Sequence, residues 1–257
     1  MNIWERLKSI FQTDEPVEAV FKPEWIAYLE KNLPLYARLP ESLKTALHQK
    51  IGYFVRSTFF EGCGDLELSE EMIITVAGQA CILIMNHPGE PYPNLKSVIL
   101  YPSAFKSKTR SVDAMGIVTE KEVVRLGESW SNGTVVLAWD WVLRGAKNIF
   151  DGKNVAFHEF AHQLDQENGP SDGVPILSDS EEYHTWSQVL FDEYQELCKK
   201  AAKRKRSVMD HYGALNSAEF FAVATESFLE KPKQMRKKHR ELFEELRDYY
   251  GFDPTEW

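Results

Sequence analysis

Two histidines four residues apart with a glutamate between them, His158-Glu159-Phe160-Ala161-His162, are the residues of this chain whose types and spacing best suit chemistry. On a helix, positions i and i+4 share a face, so the two imidazoles stand side by side and can hold one Zn2+ while Glu159 reaches a water at the ion. The flanking residues predict that helix. Asp151 or Asn154 can cap its start, Val155, Phe157, Phe160, Ala161 and Leu164 offer apolar contacts on more than one side, and Asn168-Gly169-Pro170 stops it. A helix so apolar is expected to be buried, where His158, His162 and Asp165 (i, i+4, i+7) need partners. A metal and a carboxylate that orients an imidazole supply them; Asp165 is the expected orienting group, with a plain surface carboxylate as its alternative.

A catalytic zinc takes three protein ligands and keeps a fourth position open. The extended pattern H-E-x-x-H-x-x-G-x-x-H requires Gly and His where this chain has Asp165 and Asn168, so that subclass is excluded. A glutamate from a later helix is expected instead, and Glu181, Glu182, Glu219 and Glu226 are the candidates. Closed structural zinc sites are usually built with cysteine. Cys63, Cys81 and Cys198 are odd in number, far apart and remote from the motif, and read as buried free thiols.

The elements that must position these residues are legible in outline. Residues 2–12 suit a short amphipathic helix, part of a loosely docked arm over residues 1–20, with a membrane-surface anchor as the alternative that the few basic residues disfavour. Residues 24–40 read as a short helix and a connector punctuated by Pro34 and Pro40, and residues 41–59 as a long helix in which His48 is structural. Residues 69–85 are apolar nearly all round, with Ser69 as N-cap and Glu70 and Glu71 in the first turn, and predict a central buried helix. Strand signals follow at residues 95–101, 112–118, 122–127 and 134–139, with Asn132-Gly133 as a hairpin turn. They predict a small antiparallel or mixed sheet whose last strand, TVVLAW, leads directly into the histidine helix. The edge of that strand can take an extended peptide, with Trp130 or Trp139 lining the groove or, alternatively, packed in the core. Residues 181–206, 217–230 (capped by Asn216 or Ser217) and 234–250 read as three further helices, the first ending in a basic run. With no repeat and no composition break, residues 1–257 are expected to form one mostly helical α+β domain.

A net charge of -9 argues against the broad basic footprint of a nucleic-acid binder. No apolar run approaches the roughly 20 residues of a membrane span, and residues 1–16 lack the apolar core of a secretion signal, so a cytoplasmic protein is expected.

HEFAHQLD (residues 158–165) taken together with YGALNSAEFFA (residues 212–222) resembles the Mlc titration factor A family of bacterial zinc peptidases, and both segments are similar to the catalytic centre of anthrax lethal factor. The resemblance extends over most of the chain, through VILYPSAF, GESW and VVLAWDWV, and the paired motifs are far more specific than H-E-x-x-H alone. It implies a zincin-like fold, one Zn2+ per chain and a peptidase, aminopeptidase-like on short peptides. It puts the third ligand at Glu219 and an oxyanion-stabilising hydroxyl at Tyr212, seven positions earlier, beside Glu159 as general base. Glu226, two helical turns beyond Glu219, becomes a candidate to support the ligands; where the toxin has a further acid four residues after the ligand, this chain has Val223, and that contact does not carry over. The resemblance also implies binding to the glucose-responsive repressor Mlc and its removal from DNA, so an anti-repressor is the second reading.

Overall fold

The computed structural model describes residues 20–90, 92–112, 118–130 and 132–257; the helix expected at residues 2–12, and all but the last residue of the expected arm, lie outside the described residues. The most apolar helix, α4 (Glu70–Ile84), lies at the centre. Ser69 accepts the Met72 N–H at 3.2 Å, Glu70 and Glu71 occupy the first turn where the helix dipole favours acids, and every residue from Ile74 on is buried. Around it pack α1 (Trp25–Asn32), α3 (Glu41–Ser57), α5 (Trp139–Lys147) and α6 (Val155–Asp165), with the five-residue α2 (Pro34–Arg38) leading from α1 to α3.

Four strands form a mixed sheet in the order β1-β2-β6-β5: β1 (Phe59–Gly62), β2 (Ser97–Tyr101) and β6 (Thr134–Ala138) are parallel, and β5 (Gly127–Trp130) returns antiparallel. The pairing Val98↔Val135 and Leu100↔Leu137 puts four buried side chains in one row against the helices. β6 therefore lies inside the sheet, so the edge expected at TVVLAW is covered on both sides, and the open edge near the histidine helix belongs to β5. β3 (Phe105–Val112) and β4 (Val118–Arg125) make a separate antiparallel ribbon, in which Val112 pairs with Val118; residues 113–117 of the strand expected at 112–118 lie outside the described residues.

Other differences have local causes. The helix expected to Phe59 stops at Ser57, because Thr58 turns extended and Phe59 opens β1. The strand expected to lead into the histidine helix gives way at Trp139 to α5, whose apolar face packs against α4. α7 (Ser180–Ala202) ends before most of the basic run, keeping only Lys199 and Lys200 in its last turn. The helix expected over residues 234–250 is two, α9 (Pro232–Lys238) and α10 (Arg240–Tyr250), broken at His239, whose buried Nδ1 lies 2.7 Å from Glu193 Oε2 on α7. Cys81 is buried as expected, whereas Cys63 and Cys198 are half-buried. Among the described residues no helix is long and apolar enough to cross a membrane.

The contact that seats α6 in the core is aromatic. Phe160 lies 5.7 Å from Phe54 of α3 and 5.3 Å from Tyr92, whose hydroxyl donates to the Ala80 carbonyl of α4 at 2.7 Å. Edge-to-face packing of fully buried rings gives each a large apolar contribution and a preferred geometry. Phe54→Ala should therefore lower the unfolding free energy by about 3–5 kcal/mol, measured by urea denaturation; a loss below about 1 kcal/mol would show that this cluster does not anchor the helix.

Candidate active site

Each helix that carries a site residue starts where a side chain caps it. Asn154, the second of the two expected caps, accepts the Phe157 N–H at 3.1 Å and opens α6, while Asp151 instead accepts the Lys153 N–H at 3.0 Å in the approaching loop. Asn216 accepts the Glu219 N–H at 2.9 Å and opens α8 (Ser217–Glu230). The two helices pack on one another, and Glu219 thereby meets the histidine pair. His158 Nε2 lies 2.9 Å and His162 Nε2 3.4 Å from Glu219 Oε2, and all three candidate ligand atoms fall within 4.8 Å of one another. Ligand atoms bound at about 2.0–2.1 Å in a tetrahedral zinc site stand about 3.3 Å apart, so this triangle is of the size one ion requires. Glu181 and Glu182, the other candidates, lie in the exposed first turn of α7, where Glu182 accepts the Ser178 N–H.

A row of acids on α8 reaches past the triangle. Glu226 Oε1 accepts the Asn154 N–H at 2.7 Å, and its Oε2 stands 3.4 Å from His158 Nδ1. Glu230 Oε2 accepts the N–H groups of Gly152 at 2.9 Å and Lys153 at 3.2 Å. Three successive backbone donors ahead of α6 are thus gripped by two carboxylates one turn apart. Glu226 was legible from its spacing to Glu219; Glu230 was not, though a third glutamate on the same face of so apolar a helix was the available signal.

Asp165 does not orient a histidine. It is fully buried, and its two oxygens accept the Gly173 N–H at 2.9 and 3.0 Å, tying down the loop after α6. Gly173 has φ +86°, and a Cβ there would come within 2.6 Å of the Ser217 carbonyl, so this loop lies directly against the start of α8. His162 Nδ1 is buried without a protein partner among the described residues.

Glu159 is buried at one side of a cleft of about 560 Å³. β5 passes so close that a Cβ on Gly127 would lie 2.6 Å from the Glu159 side chain. Tyr212, also on the cleft, sits in a 3-10 turn (His211–Ala214) capped by Asp210, which accepts the Tyr212 N–H at 2.9 Å and pairs with Lys153 Nζ at 2.8 Å. Its ring centroid is 5.7 Å from that of His158. Of the expected groove tryptophans, Trp130 is exposed and Trp139 packs on the core; neither lines the cleft, and Trp141 of α5 does.

The charges are poised for a cation. Burial alone would raise the Glu219 carboxyl, but hydrogen bonds from His158 and His162 outweigh it and bring it down to about 2. Burial would lower the His158 imidazole, yet the carboxylates of Glu219 and Glu226 hold it well above its ordinary value. Burial raises Glu159, against the pull of both histidines. Burial, then the nearby Glu219, raises Tyr212 and keeps its hydroxyl a donor. Glu219 and the two imidazoles form a donor set whose chemistry and size suit a divalent ion, with Glu159 and Glu226 adding negative charge beside it.

An H-E-x-x-H helix, a carboxylate from a second helix and a strand bordering the same cleft are the parts from which metallopeptidase centres are built. Residues 7–251 match the family described as glucose-regulated metallo-peptidase M90, and the chain belongs to that family. A Synechocystis sp. protein, itself uncharacterized, is 38% identical over 250 residues, which are 97% of this chain and 89% of its own. Mlc titration factor A of Yersinia pestis is 28% identical over 254 residues (96% and 91%), and that of Serratia proteamaculans 28% over 231 residues (86% and 85%).

Burial pushes the Glu230 carboxyl up to about 8 from its ordinary 4.5. The folded protein then holds a proton that the unfolded chain has released, so this group's contribution to stability falls as pH rises between those two values. Glu230→Gln, which keeps an acceptor oxygen, should gain in Tm relative to wild type by several degrees between pH 5.5 and pH 8.5; a difference that does not change with pH contradicts the assignment.

Proposed function

We propose that the chain is a zinc-dependent peptidase, with Zn2+ held by His158, His162 and Glu219 and with Glu159 and Tyr212 as its catalytic side chains. The observation that carries this reading is the convergence of three candidate ligand atoms within 4.8 Å of one another, with His158 among them on the wall of the cleft that Glu159 and Tyr212 also line. When bound, the ion supplies a Lewis acid that lowers the pKa of water toward about 7 and polarises a carbonyl. Glu159 accepts the proton of the attacking water, for which a raised carboxyl is suited, and passes it to the leaving amine. The Tyr212 hydroxyl donates a hydrogen bond to the oxygen on which negative charge develops. Glu226, bonded to Asn154 and next to His158 Nδ1, fixes the orientation of that imidazole. The open edge of β5 gives an extended peptide backbone a strand to pair with. Short peptides trimmed from the amino end are the substrates that the family resemblance supports.

Glu159→Gln should leave zinc bound, by elemental analysis, and abolish cleavage, whereas Tyr212→Phe should lower kcat by about 10²–10³. Undiminished turnover of a chromogenic peptide by the Glu159→Gln protein ends the proposal.

The relatives called Mlc titration factor A support a second role, binding of the repressor Mlc as an anti-repressor. A pull-down with Mlc separates the two. Binding retained by Glu159→Gln makes it a partner function independent of hydrolysis, and no binding by either protein removes it.

A further inference from the structure

The cleft extends well beyond the reacting groups. From His158, Glu159 and Tyr212 it runs between the β4–β5 corner, with Val124 and Leu126, and α5, with Trp141 and Arg144. Apart from Glu159, its acidic groups are engaged within the protein: Asp210 with Lys153 Nζ, Asp151 with the Lys153 N–H, and Glu226 with Asn154 and His158. The remaining lining is mostly apolar, with Val124, Leu126, Trp141, Val155 and the buried Val223, and carries the cations Arg125, Arg144 and Lys153 among them. Val124 is 64% exposed on a ribbon whose strands pair only with each other among the described residues, so it overhangs the cleft with its apolar surface still in water. The Arg144 guanidinium lies 4.8 Å over the Trp141 ring and covers one face of the indole. About 560 Å³ is within the range of a small-ligand pocket and holds a side chain with the backbone that carries it.

We propose that this space is the side-chain subsite of the enzyme: it takes an aliphatic or aromatic side chain of the residue flanking the scissile bond, and Val124 and Trp141 set the preference. The assignment rests on the peptidase reading for its meaning but not for its geometry. An apolar side chain entering here removes the surfaces of Val124 and Trp141 from water, whereas a charged one loses its hydration, a cation beside Arg125, Arg144 and Lys153 and an anion beside Asp151, Asp210 and Glu226. Apolar pockets discriminate through buried area, so the expected selectivity is graded rather than absolute.

The test uses the zinc-loaded full chain and two probe sets. Peptides with free or blocked amino ends vary each flanking position through Ala, Ser, Asp, Lys, Leu and Phe, and the ratio of kcat/KM for Phe to that for Ala is read. Reduced-bond pseudopeptides with the same side chains, which cannot be cleaved, are measured by calorimetry. At one flank the Phe:Ala ratio should be about tenfold or more, and Val124→Asp and Trp141→Ala should each cut it to about threefold or less. Phe191→Ala, exposed on α7 and outside the cleft, should leave it unchanged. Because the ratio is internal to each variant, a smaller folded fraction does not alter it. If nothing is cleaved but the pseudopeptides still rank Phe above Ala in a Val124-dependent way, the catalytic reading fails and the subsite stands. Cleavage with no preference at either flank, a preference that both variants leave intact, or selection of acidic side chains overturns the subsite.

Discussion

The site exists only if two helices far apart in sequence are held in one register, and carboxylates on α8 hold them. Glu219 lies 61 positions beyond His158 and meets its Nε2 at 2.9 Å. Farther along the same helix, Glu226 and Glu230 take the N–H groups of Gly152, Lys153 and Asn154, the residues from which α6 starts. These hydrogen bonds act in a buried setting where misalignment leaves polar groups unpaired. One helix thus carries one candidate ligand and also sets where the other two stand. Three glutamates beside two imidazoles concentrate negative charge at one place, which a cation bound there would offset.

The parts that border this joint are placed by close approaches. Gly127 lets β5 pass against Glu159, and Gly173 lets the loop after α6 lie on the start of α8 with Asp165 fastening it from below. The Lys153–Asp210 pair ties the turn carrying Tyr212 to the loop ahead of α6, so the hydroxyl and the histidines share a reference frame. Exposed ion pairs contribute little to stability, and the value of this one lies in position.

Much of this was readable from the residues because it follows local rules. The H-E-x-x-H spacing, the Ser69, Asn154 and Asn216 caps and the apolar run of α4 are each decided within a few residues, and all appear in place. What escaped was set by tertiary contact. The start of α5 was hidden because Ala138-Trp139 passes from strand to helix with no Gly, Pro or polar punctuation, and that boundary moved the cleft tryptophan from Trp139 to Trp141. Asp165 had the right spacing for a histidine partner, but the Gly173 N–H lies nearer to hand. The break at His239 reflects a bond to Glu193 on another helix, which no local pattern encodes. Tyr212 and the choice of Glu219 among four glutamates came only through the family resemblance, since a long connection says nothing of which acid folds back.

The central claim is that one ion sits on two imidazoles and one carboxylate, with a position left for solvent. X-ray absorption spectroscopy of the zinc-loaded protein tests it most directly. A single shell of about four nitrogen and oxygen atoms at about 2.0–2.1 Å, with the multiple scattering of two imidazoles, is the predicted spectrum. A sulfur shell near 2.3 Å, which would place the ion on Cys63, Cys81 or Cys198, or imidazole scattering undiminished in His162→Ala, contradicts it.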